Sequence, residues 1–312
     1  MRLLVTGATG FIGKPLVHHL SGLGWTVIRG VRSLENDNHA KGSEALTIGV
    51  DQNTGHFDIS GRVDGVVHLA GIAHVHGVDA EDYRSANAIW TQKLARRAAA
   101  LRIPRFIFVS TVKVAGDSHP GPIDESAPFD PGNFYASSKA TAEAMLEEVG
   151  RESGLRIITI RPPLVYGPGV RANFLSLLRF VDAGWPLPLA SVKSRRSLVY
   201  VGNLVSAIEA CLTYPAPVNR TFFVSDDHDV SMPQLVQAIA AVLGKRPRLF
   251  PFPPWLLQCI GRLVGQEEQV ARLTESLQVN ISRIKTEIGW QPPFSLQQGL
   301  AETASWYRSL RR

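Results

Sequence analysis

The stretch that most constrains this chain is its opening, where the apolar residues Leu3, Leu4 and Val5 run through Thr6 into Gly7-Ala8-Thr9-Gly10-Phe11-Ile12-Gly13. A strand that breaks into three glycines and then a helix is built to hold a pyrophosphate. Glycine lets the backbone turn tightly and lie against phosphate oxygens, and the helix that follows aims its unpaired N–H groups and positive dipole end at them. The spacing is G-x-x-G-x-x-G, not the G-x-G-x-x-G fingerprint. Such a turn also occurs without a ligand. Here it follows the first strand, where a doubly wound α/β sheet seats its nucleotide, and that position favours the nucleotide.

With 312 residues, 45% of them hydrophobic, the chain is long enough for one large α/β domain and a smaller appended lobe. Cys211 and Cys259 lie far apart and form neither a disulfide framework nor a metal-ligand spacing, so both read as small buried apolar residues in a reducing, cytoplasmic setting. The apolar start is only a strand long, so no signal peptide is expected, and no apolar run is long enough to span a bilayer. The net charge of +6 and a pI near 9.5 come from scattered arginines with no nucleic-acid motif around them. An anionic small molecule is the expected partner, and nucleic acid is not.

The spacing predicts a helix over 11–23 and a second strand over 25–33. The end of that strand bears on cofactor choice, because an acidic residue there accepts hydrogen bonds from the adenosine ribose and repels a 2′-phosphate. Val31 and Arg32 stand there instead, which favours NADP(H) over NAD(H) unless Arg32 is simply a solvated loop residue. A third strand over 46–50 ends at Asp51, placed either to meet the adenine amine or to make an ordinary turn. A fourth, over 63–69, runs into His68-Leu69-Ala70-Gly71, whose small residues let the backbone lie against a cofactor. His68, His74 and His76 have no carboxylate or cysteine to complete a metal site and read as non-ligands, so no metal is expected.

A long helix over 80–101 carries Asn87. The run Arg105-Phe-Ile-Phe-Val109 has the pattern of a buried parallel strand and delivers Ser110 and Thr111 to the carboxyl edge of the sheet, where ligands bind in such folds. After a loop over 116–132, a helix over 133–151 opens with Tyr135-Ala-Ser-Ser-Lys139. Tyr135 and Lys139 are one turn apart on one face. An ammonium near a phenol favours the phenolate, so the tyrosine pKa is expected to fall from about 10 toward the working pH. A tyrosine so tuned can pass a proton to or from a carbonyl or alcohol oxygen.

In order and spacing, the glycine turn, His68-Leu69-Ala70, Asn87, Thr111, Tyr135 to Lys139 and Arg161-Pro162-Pro163-Leu164-Val165-Tyr166-Gly167-Pro168 resemble the extended short-chain dehydrogenases/reductases, in particular the nucleotide-sugar epimerases, dehydratases and reductases. The resemblance continues through Leu198 to Val201 and Gly289 to Pro292. It implies a Rossmann-like doubly wound parallel sheet over 1–169, rejoined by segments around 196–225, and a smaller lobe over 170–312 that binds the sugar nucleotide. It makes Tyr135 the acid/base, Lys139 its modulator and a ribose ligand, and Thr111, with Ser110 as a neighbouring candidate, the partner of the reacting oxygen. It also places Pro162 beside the cofactor and Asn173, Arg196 and Arg272 around the substrate diphosphate. A homodimer through the helices near 81–101 and 133–151 is a further expectation from the resemblance.

The whole-chain pattern, including Pro162-Pro163-Leu164 and Arg272 to Ser276, is most similar to reductases of the 4-keto group of a UDP-2-acetamido-6-deoxy sugar, which make UDP-N-acetylquinovosamine or a stereoisomer for surface polysaccharide. Three departures from the epimerase pattern stand out. Val31 replaces an acidic residue, Leu164 replaces an Asn near the substrate, and Ala115 replaces a Tyr. A 4-epimerase and a non-catalytic NADP(H)-sensing module are the alternative readings.

Beyond residue 170 the strand–helix alternation loosens around Pro186, Pro188, Pro215 and Pro217. Apolar residues at 255, 256, 259, 260, 263 and 264 mark one face of a short helix. Core packing or a lid over the sugar is the expected use of that face, with membrane contact as the less common outcome.

Overall fold

The computed structural model describes residues 1–31, 47–51, 54–73, 77–215 and 219–310. Arg32, His74, His76 and Pro217, and with them part of the cofactor-selectivity expectation, lie outside the described residues. Strands β1 (Arg2–Thr6), β2 (Thr26–Val31), β3 (Thr47–Gly49), β4 (Gly65–His68), β5 (Arg105–Val109) and β6 (Arg156–Arg161) alternate with helices α1 (Gly13–Gly22), α2 (Ala80–Arg84), α3 (Trp90–Ala100) and α4 (Phe134–Ser153). The second half holds β7 (Leu164–Tyr166), α5 (Ala172–Asp182), β8 (Arg195–Arg196), β9 (Leu198–Tyr200), α6 (Val201–Thr213), β10 (Asn219–Phe223), β11 (Val230–Ser231) and α7 (Met232–Leu243). Helices α8 (Pro254–Leu263), α9 (Glu267–Thr274), α10 (Ser282–Ile288) and α11 (Leu296–Ser309) complete it.

Among the described residues seven strands form one parallel sheet in the order β10-β6-β5-β4-β1-β2-β3, the doubly wound arrangement expected of the sequence. The order reverses at β1, so the crevice for a ligand opens at the carboxyl ends of β1 and β4. The chain returns from its second half to add β10 at the edge beside β6. One face of the sheet packs Leu3, Val5, Val67 and Ile107 against α1 and α6. The other packs Leu4, Ile28, Val66 and Phe106 against α3 and α4. A separate apolar core around Tyr166, Phe174, Leu178, Ile239 and Leu300 holds α5, α7 and α11 together.

Two element expectations change. The helix over 80–101 is interrupted at residues 85–89 by a π-helical turn that contains Asn87. The one-residue bulge that makes such a turn turns a side chain inward where regular spacing would not. Helix α8 forms where the periodicity puts it, but its apolar face is not in a core: Trp255 is 65% exposed and Leu263 86%. Gly261 packs inward instead, against Val270 of α9. Cys211 is buried as expected, whereas Cys259 lies exposed on that same outer face.

Candidate active site

The glycine turn is shaped by contacts that no side chain could share. Gly7 has φ +71°, and a Cβ there would lie 2.8 Å from the Ala70 nitrogen. A Cβ on Gly13 would lie 2.1 Å from the Gly7 carbonyl oxygen. The turn is therefore pressed against the Leu69-Ala70 end of β4, while Thr9 and Gly10 stay exposed and Phe11 and Ile12 half-buried. Helix α1 begins at Gly13, two residues later than the periodicity suggests, with Ile12 as an N-cap that makes no side-chain capping bond. Lys14 already donates to the Gly10 carbonyl at 3.0 Å and Pro15 has no N–H, so the donors left for a phosphate are those of the turn residues Phe11 to Gly13. Gly13→Ala must push the turn open. It is expected to weaken dinucleotide binding at least about tenfold, overpacking at such a contact costing about 1–3 kcal/mol; calorimetric titration with NAD(H) or NADP(H) checks this, with circular dichroism as the folding control.

A chain of buried polar groups joins this turn to α4. The His68 ring bonds Thr6 Oγ1 at 2.6 Å and Thr91 Oγ1 at 2.8 Å, and the Thr91 hydroxyl donates to the Asn87 carbonyl at 2.6 Å. That direction makes Nε2 of His68 the protonated nitrogen. Burial, and then the charge of Lys139, hold the imidazole well below its usual pKa, so it is neutral. Both ring nitrogens are engaged within the core.

The Asn87 side chain closes a two-way clamp on Ile72, accepting from its N–H at 2.8 Å and donating to its carbonyl at 2.9 Å. It also donates to Ser138 Oγ at 3.0 Å, and the Ser138 hydroxyl in turn donates to the Tyr135 carbonyl at 2.8 Å. Gly71 is constrained by the same clamp, since its Cβ would lie 2.8 Å from Asn87 Oδ1. Asn87 therefore fixes the Ala70-Gly71-Ile72 wall of the crevice.

Helix α4 starts at Asn133, whose side chain accepts from the Ala136 N–H at 2.9 Å. It presents Tyr135 half-buried, with the phenol edge-on to Tyr83 at 6.4 Å between ring centroids. Burial, and then Tyr83, push the Tyr135 pKa up to about 12. This reverses the expected fall. The ammonium of Lys139 donates to the Val109 carbonyl at 2.7 Å and sits 4.0 Å over the Phe108 ring, and burial lowers its pKa to about 7 against the opposing pull of Glu143. A dry site raises an acid and lowers a base, and here desolvation outweighs the helix-face neighbourhood.

Ser110 follows β5 and is buried, yet its Oγ has no hydrogen-bond partner. An orphaned buried hydroxyl next to Lys139's anchor is an observation that fits a bound ligand in this crevice. Thr111 is buried beside it and caps the short 3-10 turn over residues 112–115 by accepting from the Lys113 N–H at 3.3 Å. The carbonyl of buried Pro162 accepts from the Val112 N–H at 2.9 Å and ties this loop to β6. Asp51 is exposed, and its Oδ1 accepts from the Thr54 N–H at 2.8 Å, closing a turn at the end of β3.

In the second half, half-buried Arg196 donates from Nε to the Glu275 carbonyl at 3.1 Å. Burial lowers its pKa, with Glu275 and Asp117 opposing and Arg272 of α9 adding to the effect, so the two arginines sit in each other's field. Asn173 is exposed in the first turn of α5, following Ala172 at φ +51°. Guanidiniums in each other's field are of the kind that suits an anion.

Two features escaped the sequence reading. Arg161 and Glu143 form a buried ion pair, Nη2 to Oε2 2.6 Å, with both side chains 6% exposed. Glu143 is four residues beyond Lys139 on α4, a spacing that could have flagged it. Tyr166 donates to Asp226 at 2.7 Å, and Asp226 accepts from the Tyr200 N–H and from Asn203, both at 2.7 Å, so the return to the sheet is fastened through one buried carboxylate.

Among known proteins, the chain is 38% identical over 311 residues to a UDP-glucose 4-epimerase of Vibrio cholerae, covering 97% of this chain and 94% of that one. It is 27% identical over 336 residues to a 2-alkyl-3-oxoalkanoate reductase of Shewanella oneidensis, covering 95% and 84%. Its fold matches the solved UDP-glucuronic acid 4-epimerase of Bacillus cereus in complex with NAD at a TM-score of 0.79 and 20% identity, covering both chains fully. Residues 3–224 match the NAD dependent epimerase/dehydratase family, and with the glycine turn, Tyr135 and Lys139 in place the chain belongs to that family of extended short-chain dehydrogenase/reductase enzymes.

Proposed function

We propose that this enzyme reduces the 4-keto group of a UDP-linked 2-acetamido-2,6-dideoxyhexulose, giving UDP-N-acetylquinovosamine or a stereoisomer. The observation that carries this is the Tyr135 phenol, held protonated by burial with a pKa up to about 12, in a site whose buried Ser110 hydroxyl has no hydrogen-bond partner among the described residues. A group in that state is a proton donor at neutral pH, the role a carbonyl reduction requires. Bound nicotinamide supplies the hydride to C4. Tyr135 delivers the proton to the C4 oxygen, Thr111 and Ser110 position that oxygen, and Lys139 anchors the helix face to Val109 while offering its amine to the cofactor ribose.

In this reading Gly7, Thr9, Gly10, Phe11, Ile12 and Gly13 hold the pyrophosphate, and Leu69, Ala70, Gly71 and Pro162 line the cofactor, with Asn87 acting through the wall it fixes. NADP(H) is favoured through the absence of a carboxylate at Val31. Arg29 of β2, buried with Nε and Nη2 unbonded, supports a cationic environment near that strand's end. Incubation with the UDP-4-keto sugar and NADPH or NADH, followed by nicotinamide absorbance and NMR of the product, tests substrate, cofactor and stereochemistry together.

The second reading is a 4-epimerase, favoured by the 38% identity to the Vibrio protein of that name. An epimerase keeps its nicotinamide through oxidation and return. Turnover of UDP-glucose or UDP-N-acetylglucosamine without added nicotinamide would establish it over the reductase. Arg196, with Arg272 and Asn173, is assigned to the diphosphate of either substrate. Arg196→Ala is expected to raise KM for the UDP-sugar roughly 10- to 100-fold with kcat little changed, the loss of one charged hydrogen bond. An unchanged KM would favour a ketone substrate that carries no nucleotide.

A further inference from the structure

Helix α8 exposes the wrong face for a soluble surface. Trp255, Cys259, Ile260 and Leu263 share its outer side, with Trp255 65%, Ile260 43% and Leu263 86% exposed, while Gly261 faces inward onto α9. Val264, directly after the helix, is 61% exposed, and Phe250, ahead of it in the chain, is 40% exposed. An apolar stripe of this extent on a monomer marks a contact surface.

The charge in the segment leading into α8 points to the partner, the acidic residues Glu267 and Glu268 coming only after the helix has ended. Residues 244–264 carry Lys245, Arg246, Arg248 and Arg262 and no acidic residue. Lys245 pairs with Asp182 at 3.3 Å and Arg262 with Glu267 at 2.8 Å, which leaves exposed Arg246 and Arg248, in the segment leading into α8, with no ion pair among the described residues. We infer that α8 and the basic segment before it dock on an anionic bilayer surface, with the helix lying in the interface. Tryptophan and leucine enter the headgroup–acyl boundary, and the arginines meet the lipid phosphates.

A second copy fits less well. In a two-fold contact the patch meets the same patch, which would bring two copies of the unpaired arginines into one interface. A ten-residue helix is only about 15 Å long, a small stripe beside the roughly 800 Å² per partner of a standard interface. No helix among the described residues is long and apolar enough to cross a membrane, so the contact is peripheral. Its position has a consequence: α8 packs on α9, Gln258 bonding Thr274 at 3.2 Å, and α9 carries Arg272. A docked chain holds the arginine pair one helix away from the headgroups.

The test is co-sedimentation of the full chain with vesicles of phosphatidylcholine and phosphatidylglycerol in equal amounts, against phosphatidylcholine alone. The wild type is expected to pellet with the mixed vesicles and remain in solution with the neutral ones. Trp255→Ser/Leu263→Ser and Arg246→Glu/Arg248→Glu should each weaken binding at least about tenfold while leaving turnover of soluble substrate unchanged. Absence of binding to the mixed vesicles, or wild-type binding by both double variants, overturns the inference. So does a concentration-dependent dimer in light scattering that either double variant abolishes, or a raised KM for soluble substrate in the apolar variant, the mark of a sugar lid.

Discussion

Tyr135→Phe is expected to lower kcat by about 10²- to 10⁴-fold, the range for removing a general acid, with dinucleotide affinity nearly unchanged. The substitution takes away one oxygen and keeps the ring that packs edge-on against Tyr83. The capping bond from Asn133 and the anchor from Lys139 to Val109 are untouched, so α4 should keep its place. The loss then falls on proton delivery. Because burial holds the phenol near 12, the wild type should show no loss of reductive turnover from tyrosine ionisation between neutral pH and about 10. Steady-state rates over that range, with nicotinamide titration of the variant, provide the check. A variant that retains full turnover would remove Tyr135 from the chemistry and bring back the reading of a non-catalytic dinucleotide sensor.

The phenol also shows what local spacing can carry. A spacing of four from Tyr135 to Lys139 is enough to place both on one face of one helix. They carry no information about how dry that face is, and desolvation is the larger contribution at both groups. The sheet was legible for a similar reason in reverse. Runs such as Phe106 to Val109 are apolar on both faces because helices cover both faces, so the covering leaves its trace in the strand itself. Long-range partners leave none. Arg161 pairs with a carboxylate 18 positions earlier, and Asp226 gathers donors from Tyr166, Tyr200 and Asn203. Helix α8 is the instructive case: its amphipathic pattern predicted the helix, but the face lies outside the core, since periodicity records that a face is apolar and not what covers it.

Glu143→Leu is expected to destabilise the protein by about 3–5 kcal/mol, because it leaves the Arg161 guanidinium as an uncompensated buried charge. Arg161 donates to Glu143 from both Nε and Nη2, lies 5.2 Å from the Phe129 ring and 5.7 Å from the Phe223 ring, and has no partner for Nη1. Water is therefore poorly placed to take over. Adding Arg161→Met should restore much of the loss, since an apolar pair of similar volume removes both desolvation costs. The same carboxylate supports the charge on Lys139, so the variants carry a second signature. With its folded pKa lowered from 10.5 to about 7, Lys139 binds a proton less readily in the folded chain than in the unfolded one, and its contribution to stability rises with pH between those values. Removing Glu143 lowers the folded pKa further and widens that window on the acid side. Denaturant unfolding of the single and double variants across pH 6 to 10 should show the rise beginning at lower pH in both. If the double variant is no more stable than Glu143→Leu alone, the cost lies in repacking around α4 and not in the stranded charge.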